Sequence, residues 1–193
     1  MNKKDVIKFF DSLAPFWDSE QAENKEVTDI ILTKGGIVKG ADVLDIACGT
    51  GILFPEYLSR EVNSVTGIDI SAEMVKIAKE KSPQINVICG DAETHRFETK
   101  FDAVMVYNAF PHFVNSELLF ENVSSALKVG GRFSIAHGIS EKELQECHSG
   151  KAKSVSNPLP DKETLALMMS EFFSVDVMIS DDRMYMVSGV KRS

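Results

Sequence analysis

The chain lacks a run of 18 apolar residues, a CxxC pair, a block of basic residues and a third glycine in its one glycine-rich turn. Each absence removes a class of protein. Without the long apolar run no membrane-spanning helix is expected. The front of the chain, MNKKDVIKFFDSL, carries charge through what would have to be the apolar part of a secretion signal. Cys48, Cys89 and Cys147 are odd in number and widely spaced, which speaks against a disulfide scaffold, a zinc knuckle or a redox dithiol; a reducing, cytoplasmic setting is expected. Twenty-one basic residues face 29 acidic ones, a formal charge of −8. A polyanion would be repelled on average, so no nucleic-acid partner is expected. The runs Lys3-Lys4, Lys151 to Lys153 and Lys191-Arg192 read as solvated ends and loops.

What is present suits one globular domain over residues 1–193: 44% of the residues are apolar and 26% charged. Val6, Phe9, Phe10 and Leu13 recur at helical spacing up to Pro15, and Val27, Ile30 and Ile31 open a second helix that stops near Gly35-Gly36. These form a helical cap over residues 1–40, with Trp17 and Asp18 in the loop between. From residue 41 short β-rich runs alternate with helical stretches. VLDI (43–46), SVTGIDI (64–70), NVICGD (86–91), FDAVMVY (101–107) and GRFSIAH (131–137) are apolar on both faces, as parallel strands covered by helices are. The helical stretches lie at 52–60, 71–81 and 116–128. After SNPLP a helix carrying Leu165, Met168, Met169 and Phe172 leads to FSVDVMIS and RMYMVSGV. Only Asp181-Asp182 separates these two runs, too little for a parallel crossover, so they should pair as an antiparallel hairpin. The expectation is an α/β fold with a seven-stranded sheet, mostly parallel, helices on both faces and the last two strands antiparallel.

The glycine turn follows the first strand in VLDIACGTGILF. Gly49 and Gly51 match the start of a GxGxxG dinucleotide turn, but Phe54 stands where the third glycine would be, and Asp45 ends the strand just before the turn. A carboxylate there repels a pyrophosphate and attracts an ammonium group. Asp69 ends the second strand, where a carboxylate can accept both hydroxyls of a ribose. Asp91 ends the third and can accept from the exocyclic amine of an adenine, with Ala92 beside it. Amine, ribose and adenine, in chain order, describe S-adenosylmethionine. The competing reading makes each acid a helix cap or a solvated strand end. Cys48, inside the turn, reads as a small filler, since nothing basic adjoins it to activate a thiolate.

VLDIACGTG, GIDIS and GDAE together resemble the class I S-adenosylmethionine-dependent methyltransferases of the small-molecule type with an N-terminal helical cap. The resemblance covers nearly the whole chain and implies a Rossmann-like core over residues 41–193. It places Asp45, Gly49 and Gly51 at the methionyl end of the cofactor, Asp69 at the ribose, and Asp91 and Ala92 at the adenine, with Ala47 and Ile70 also among the cofactor-binding residues. Relatives often have glycine at Ala47, and an aromatic at Trp17 that folds over the methionine end. YNAFPHF (107–113) resembles the motif these enzymes place beside the methyl donor, which puts Tyr107 and Asn108 near the cofactor or acceptor. His112 is then a candidate general base for a hydroxyl, amine or thiol; it can equally cap the next helix or pack under Phe113. His137, at the end of the fifth strand, and His148, on the helix starting near Ser140, are further candidates for the acceptor site. A metal shared by these two would need more ligands, and no metal site is expected. Ser140 with Glu143 fits a capping box. The expected activity is methyl transfer to an O, N, S or C nucleophile of a small molecule, yielding S-adenosylhomocysteine, by a monomer or homodimer without nucleic-acid or membrane partners. The alternative is a module that binds the cofactor without turnover and regulates or scaffolds a partner.

Overall fold

The computed structural model describes residues 1–20, 24–149 and 151–193, the side chains of residues 20, 147–149 and 151 excepted. Helix α1 (Lys3–Leu13) runs through a 3-10 turn at Ala14–Phe16 into a short helix α2 (Trp17–Glu20), so Trp17 opens a helical turn rather than lying in a loop. Helix α3 (Lys25–Lys34) completes the cap. The core alternates β1 (Asp42–Ile46), α4 (Phe54–Ser59), β2 (Ser64–Asp69), α5 (Ala72–Lys81), β3 (Asn86–Cys89), β4 (Phe101–Tyr107), α6 (Ser116–Ala126) and β5 (Leu127–His137). Helices α7 (Glu141–Ser149) and α8 (Lys162–Met169) then lead to β6 (Phe173–Ser180) and β7 (Tyr185–Lys191).

Helix starts follow local chemistry. Asn2, Asn24, Ser71, Asn115 and Asp161 each stand at an N-cap and accept a backbone N–H three residues on, which satisfies a donor that the first turn leaves unpaired. Ser140 and Glu143 form the expected reciprocal box: the Ser140 N–H donates to the Glu143 carboxylate at 3.0 Å, and the Glu143 N–H donates to the Ser140 hydroxyl at 3.3 Å.

All seven strands join one sheet in the order β3-β2-β1-β4-β5-β7-β6. The first five are mutually parallel, and β7 is antiparallel to both β5 and β6. The loop between β6 and β7 is longer than two residues: Arg183 and Met184 belong to it, because the Asp181 carboxylate accepts both of their N–H groups at 2.9 Å and so closes the turn itself. Helix α8 ends at Met169, leaving Phe172 in the turn before β6.

Each sheet face buries its own core. Leu44, Ile46, Val104, Val106 and Phe133 pack under α6 and α8, with Phe110, Phe120, Phe133 and Phe173 in a chain of ring contacts 5.3 to 6.0 Å apart. Val43, Val65, Val87, Ala103 and Met105 face α3, α4 and α5. Alternation of Val43 and Leu44 between the two cores is what a strand covered on both sides requires. The chain runs from β1 outward to β3, returns to the middle, and then runs from β4 the other way. The strand order therefore reverses between β1 and β4, and the carboxyl ends of that pair open a crevice.

The turn after β1 is tightly packed. Gly51 has φ +79°, and a Cβ on it would lie 2.4 Å from the Phe54 ring, whereas Gly40, at φ +80°, has nothing within 4 Å of the same point. Gly40→Ala is expected to cost about 1–2 kcal/mol from the left-handed backbone alone. Gly51→Ala should cost roughly 1–3 kcal/mol more from the clash. Denaturant melts of the two variants check this, and equal losses would show that the Phe54 contact does not constrain the turn.

Candidate active site

A cavity of about 980 Å³, counted out to its open mouth, occupies the crevice at the ends of β1 and β4. The loops after β1, β2, β3 and β4 form its floor and walls, and α1 and Trp17 close it from above. Of the residues expected to bind a cofactor, Asp45, Ala47, Gly49, Asp69, Ile70, Asp91, Ala92, Tyr107, Asn108 and Trp17 all line it. Gly51 does not; it lies beneath, against the Phe54 ring.

Phe54 and Gly67 account for the missing third glycine. In a dinucleotide turn that glycine lets helix and strand approach closely. Here the fully buried Phe54 ring fills the junction, and the room comes from the neighbouring strand: a Cβ on Gly67 of β2 would lie 2.8 Å from Phe54 Cζ and 2.9 Å from Cys48 Sγ. Cys48 is thus a filler. Burial, together with the Asp45 and Asp69 carboxyls, pushes its thiol well above the usual range and disables it as a nucleophile. Ala47 sits at φ +55°, a left-handed conformation that glycine adopts without strain.

The three strand-end carboxyls are held differently. Asp45 is only 2% exposed, and no Lys, Arg or His forms an ion pair with it among the described residues. Burial, and then the neighbouring Asp69, push its pKa up to about 8, against a smaller opposing influence of the Tyr57 hydroxyl. Asp69 accepts the Gly49 N–H through Oδ2 and the Ser71 N–H through Oδ1, both at 2.8 Å. Burial lifts it to about 6, the two N–H bonds pulling the other way. Asp91 accepts the Glu93 N–H at 3.0 Å through Oδ1, and its Oδ2 pairs with the Lys3 ammonium. Each carboxylate oxygen of Asp69 and Asp91 keeps a second lone pair for a ligand.

Lys3 is not the solvated residue its run suggests. Its ammonium reaches across from α1 to bridge Asp91 and Glu93, 2.6 Å from the latter, and the two acids hold it above the ordinary lysine range despite its partial burial. Two more cap residues do the same at the other loops. Asp11 accepts from the Ser71 hydroxyl at 2.6 Å after β2. Asp18 accepts from the Thr50 hydroxyl after β1 at 2.5 Å, and from Lys81 on α5 at 2.6 Å. Glu93, 4% exposed, also receives the N–H groups of Val114 and Asn115 at 2.7 and 2.9 Å, joining the loop after β3 to the loop after β4. Lys3, Asp11 and Glu93 carried no sequence signal, because each acts through partners about 20 to 90 positions away.

His112 lines the cavity, its ring edge-on to Phe10 with centroids 4.8 Å apart. His137 does not: it is fully buried at the end of β5, with its ring against Tyr185 at 6.0 Å. The side chain of His148 lies outside the described residues. Asn108, at φ +54°, uses its Oδ1 to accept the Gly138 N–H at 3.0 Å, tying the ends of β4 and β5. Tyr107 packs on the same point, since a Cβ on Gly138 would lie 2.3 Å from its hydroxyl. No cluster of three or more metal-binding side chains forms among the described residues.

Asp45 carries a stability cost with a definite sign. An unfolded aspartate titrates near its ordinary value of 3.8 and the folded one near 8, so the native state binds the extra proton and loses stability as pH rises between them. Asp45→Asn should therefore melt at a higher temperature than the wild type at about pH 8, and the gap should shrink towards about pH 4. A gap that does not depend on pH would refute the buried-charge account.

A model of the methyltransferase domain matches residues 43–131. Malonyl-[acyl-carrier protein] O-methyltransferase 1 of Ilyobacter polytropus is 32% identical over 141 residues, covering 70% of this chain and 53% of that protein. The ubiquinone biosynthesis O-methyltransferase of Shewanella pealeana is 31% identical over 145 residues, 68% of this chain and 60% of its own length. The chain thus spans little more than half the length of these curated relatives. Among solved structures, the complex between the Haloferax volcanii Trm112 methyltransferase activator and the putative methyltransferase aligns at TM-score 0.82 and 17% identity, over 95% of this chain and 98% of the other. The DhpI–SAH complex aligns at 0.76 and 17%, over 98% and 97%. The domain match falls on the strands and turns that build the cavity, and the chain thus carries a methyltransferase domain over residues 43–131.

Proposed function

We propose that the chain transfers the methyl group of S-adenosylmethionine to a nucleophile on a small molecule. One observation carries this reading: a buried carboxyl without a cation, Asp45, at the switch point of the sheet, with two further carboxyls at the next two strand ends around the same cavity. Asp45 is the complement of an ammonium group, and Gly49 leaves the backbone open beside it. Asp69, with both oxygens already oriented by backbone N–H groups, suits two ribose hydroxyls. Asp91 and Ala92, with Ile70 also on the cavity wall, suit the adenine. Trp17 stands over the methionyl end, where a Cβ on Gly49 would lie 3.7 Å from the indole Nε1; an indole face there attracts a sulfonium and keeps water away.

When bound, the cofactor supplies an electrophilic methyl on a positively charged sulfur. The chain's own contribution is then orientation and a dry enclosure, the terms that dominate when the electrophile is already activated. The formal charge of −8 and the aromatic interior favour a small acceptor over nucleic acid. The relatives include proteins named for malonyl-[acyl-carrier protein], ubiquinone biosynthesis and demethylmenaquinone, all consistent with a small group presented to this crevice.

Two measurements test the cofactor assignment. Asp69→Ala should weaken S-adenosylhomocysteine binding at least tenfold by calorimetry, about 1.4 kcal/mol or more; unchanged affinity would end the ribose assignment. Pairing with an ammonium requires Asp45 ionised, and in the free protein it takes up its proton at about 8. Affinity should therefore rise with pH towards 8, by up to about tenfold per unit, with a proton released on binding. Binding that is flat across that window would remove Asp45 from the ammonium site.

A further inference from the structure

We propose that Asn122 is a positioning residue for the adenine of the cofactor: from within α6 it sets the turn after β3 at which Asp91 and Ala92 meet the base. The inference rests on the adenine assignment above and adds to it a side chain that is not part of the cavity lining.

Asn122 is the polar exception in an apolar stripe. Helix α6 buries Leu119, Phe120, Val123 and Ala126 around it, and Asn122 itself is only 3% exposed. An amide in that place is tolerated when its hydrogen bonds are made, and here they are. Nδ2 gives one hydrogen to the Ala92 carbonyl and the other to the His95 carbonyl, both at 2.7 Å, and Oδ1 accepts from the Arg96 guanidinium at 3.0 Å. The two carbonyls can only accept and the guanidinium can only donate, so the amide has a single allowed orientation. All three partners belong to residues 92–96, the turn that follows Asp91.

That turn has little regular structure to hold it. It follows a four-residue strand at the edge of the sheet, β3, and residues 90–100 form neither helix nor strand. Its internal bonds close it locally: the Asp91 carbonyl accepts the Thr94 and His95 N–H groups at 3.0 and 2.8 Å, and the Asp91 carboxylate accepts the Glu93 N–H at 3.0 Å. These bonds fix the shape of the turn but not its place. Besides the Lys3 tie to the cap, the place comes from α6. Glu93 receives the Val114 and Asn115 N–H groups just ahead of that helix, and Asn122 takes hold of the two carbonyls about two helical turns further on. Adenine presents a donor, its exocyclic amine, beside an acceptor, its N1. Reading both requires the Asp91 carboxylate and the Ala92 backbone within about 0.5 Å of their places at the same time. Drawing the Ala92 carbonyl to α6 fixes that backbone.

Calorimetry on the full chain tests this with two ligands, S-adenosylhomocysteine and S-inosylhomocysteine. The base of the second carries an oxygen in place of the amine and a hydrogen on N1, the reverse of adenine at both positions. The wild type should prefer S-adenosylhomocysteine by about 30-fold or more. Asn122→Leu keeps the volume and removes the three hydrogen bonds. It should weaken S-adenosylhomocysteine about tenfold or more and S-inosylhomocysteine by no more than about threefold, bringing the preference below about tenfold. Arg96→Met removes the donor that locks the amide and should narrow the same preference about threefold; it decides the matter if Asn122→Leu does not fold. Equal weakening of both ligands, the mark of a purely structural residue, overturns the assignment, and so does an unchanged preference in the variant that folds. A wild type that binds both ligands equally takes the adenine edge away from Asp91 and Ala92 and overturns this proposal, while the ribose assignment at Asp69 stands. Failure to bind S-adenosylhomocysteine brings down the cofactor reading as well.

Discussion

A carboxyl buried without a counter-ion at the end of the central strand is the constraint around which the rest of this molecule is arranged. Asp45 cannot be ionised cheaply where it lies, and Asp69 beside it makes ionisation harder still. A fold that keeps such a group gives up stability at neutral pH for a site that is completed only when a cation arrives. The surrounding structure shows how the cost is contained. The Gly49 N–H is turned towards Asp69, which lowers the charge density facing Asp45, and Phe54 and Tyr57 seal the region beneath from water.

The cap answers the same constraint from above. Its three polar ties land one on each of the loops after β1, β2 and β3, through Asp18, Asp11 and Lys3. Each tie is partly exposed and individually worth little. Together they hold Trp17 and Phe10 over the cavity, and because none belongs to the apolar core, they can be broken without disturbing either sheet face. That is what a cover over a ligand site needs, since ligand must enter and product must leave.

Much of this was legible in the sequence because the information is local. Strand runs apolar on both faces, caps of Asn, Ser and Asp, and an acid at each of three strand ends are patterns within a few residues of one another. Helix and strand limits moved by a few residues, β5 beginning at Leu127 rather than 131 and Asp181 closing the last loop. What the sequence hid depends on distant partners. His137 looked like a site residue by its place at a strand end, but β7 brings Tyr185 alongside and buries it. Lys3 looked solvated beside Lys4, yet the helix axis carries it to Asp91, 88 positions on. Phe54 read as the loss of a glycine, whereas Gly67 on the adjacent strand supplies the room instead.

Glu93 links the two halves of the chemistry. One oxygen holds Lys3 of the cap, and the other receives the N–H groups that begin the stretch leading into α6. The loop after β3, where the adenine assignment lies, is thereby connected to the segment carrying His112 and Phe113. The sheet divides the labour in the same way: the ends of β1 to β3 present carboxyls, and the end of β4 with the segment after it presents aromatics and a histidine. Asn108 and Tyr107 brace that second half against Gly138, so a change of acceptor can be accommodated in residues 107–114 and 152–156 while the three carboxyls stay in place. Such separation lets one cofactor site serve differently shaped acceptor walls, and among the described residues this wall is aromatic.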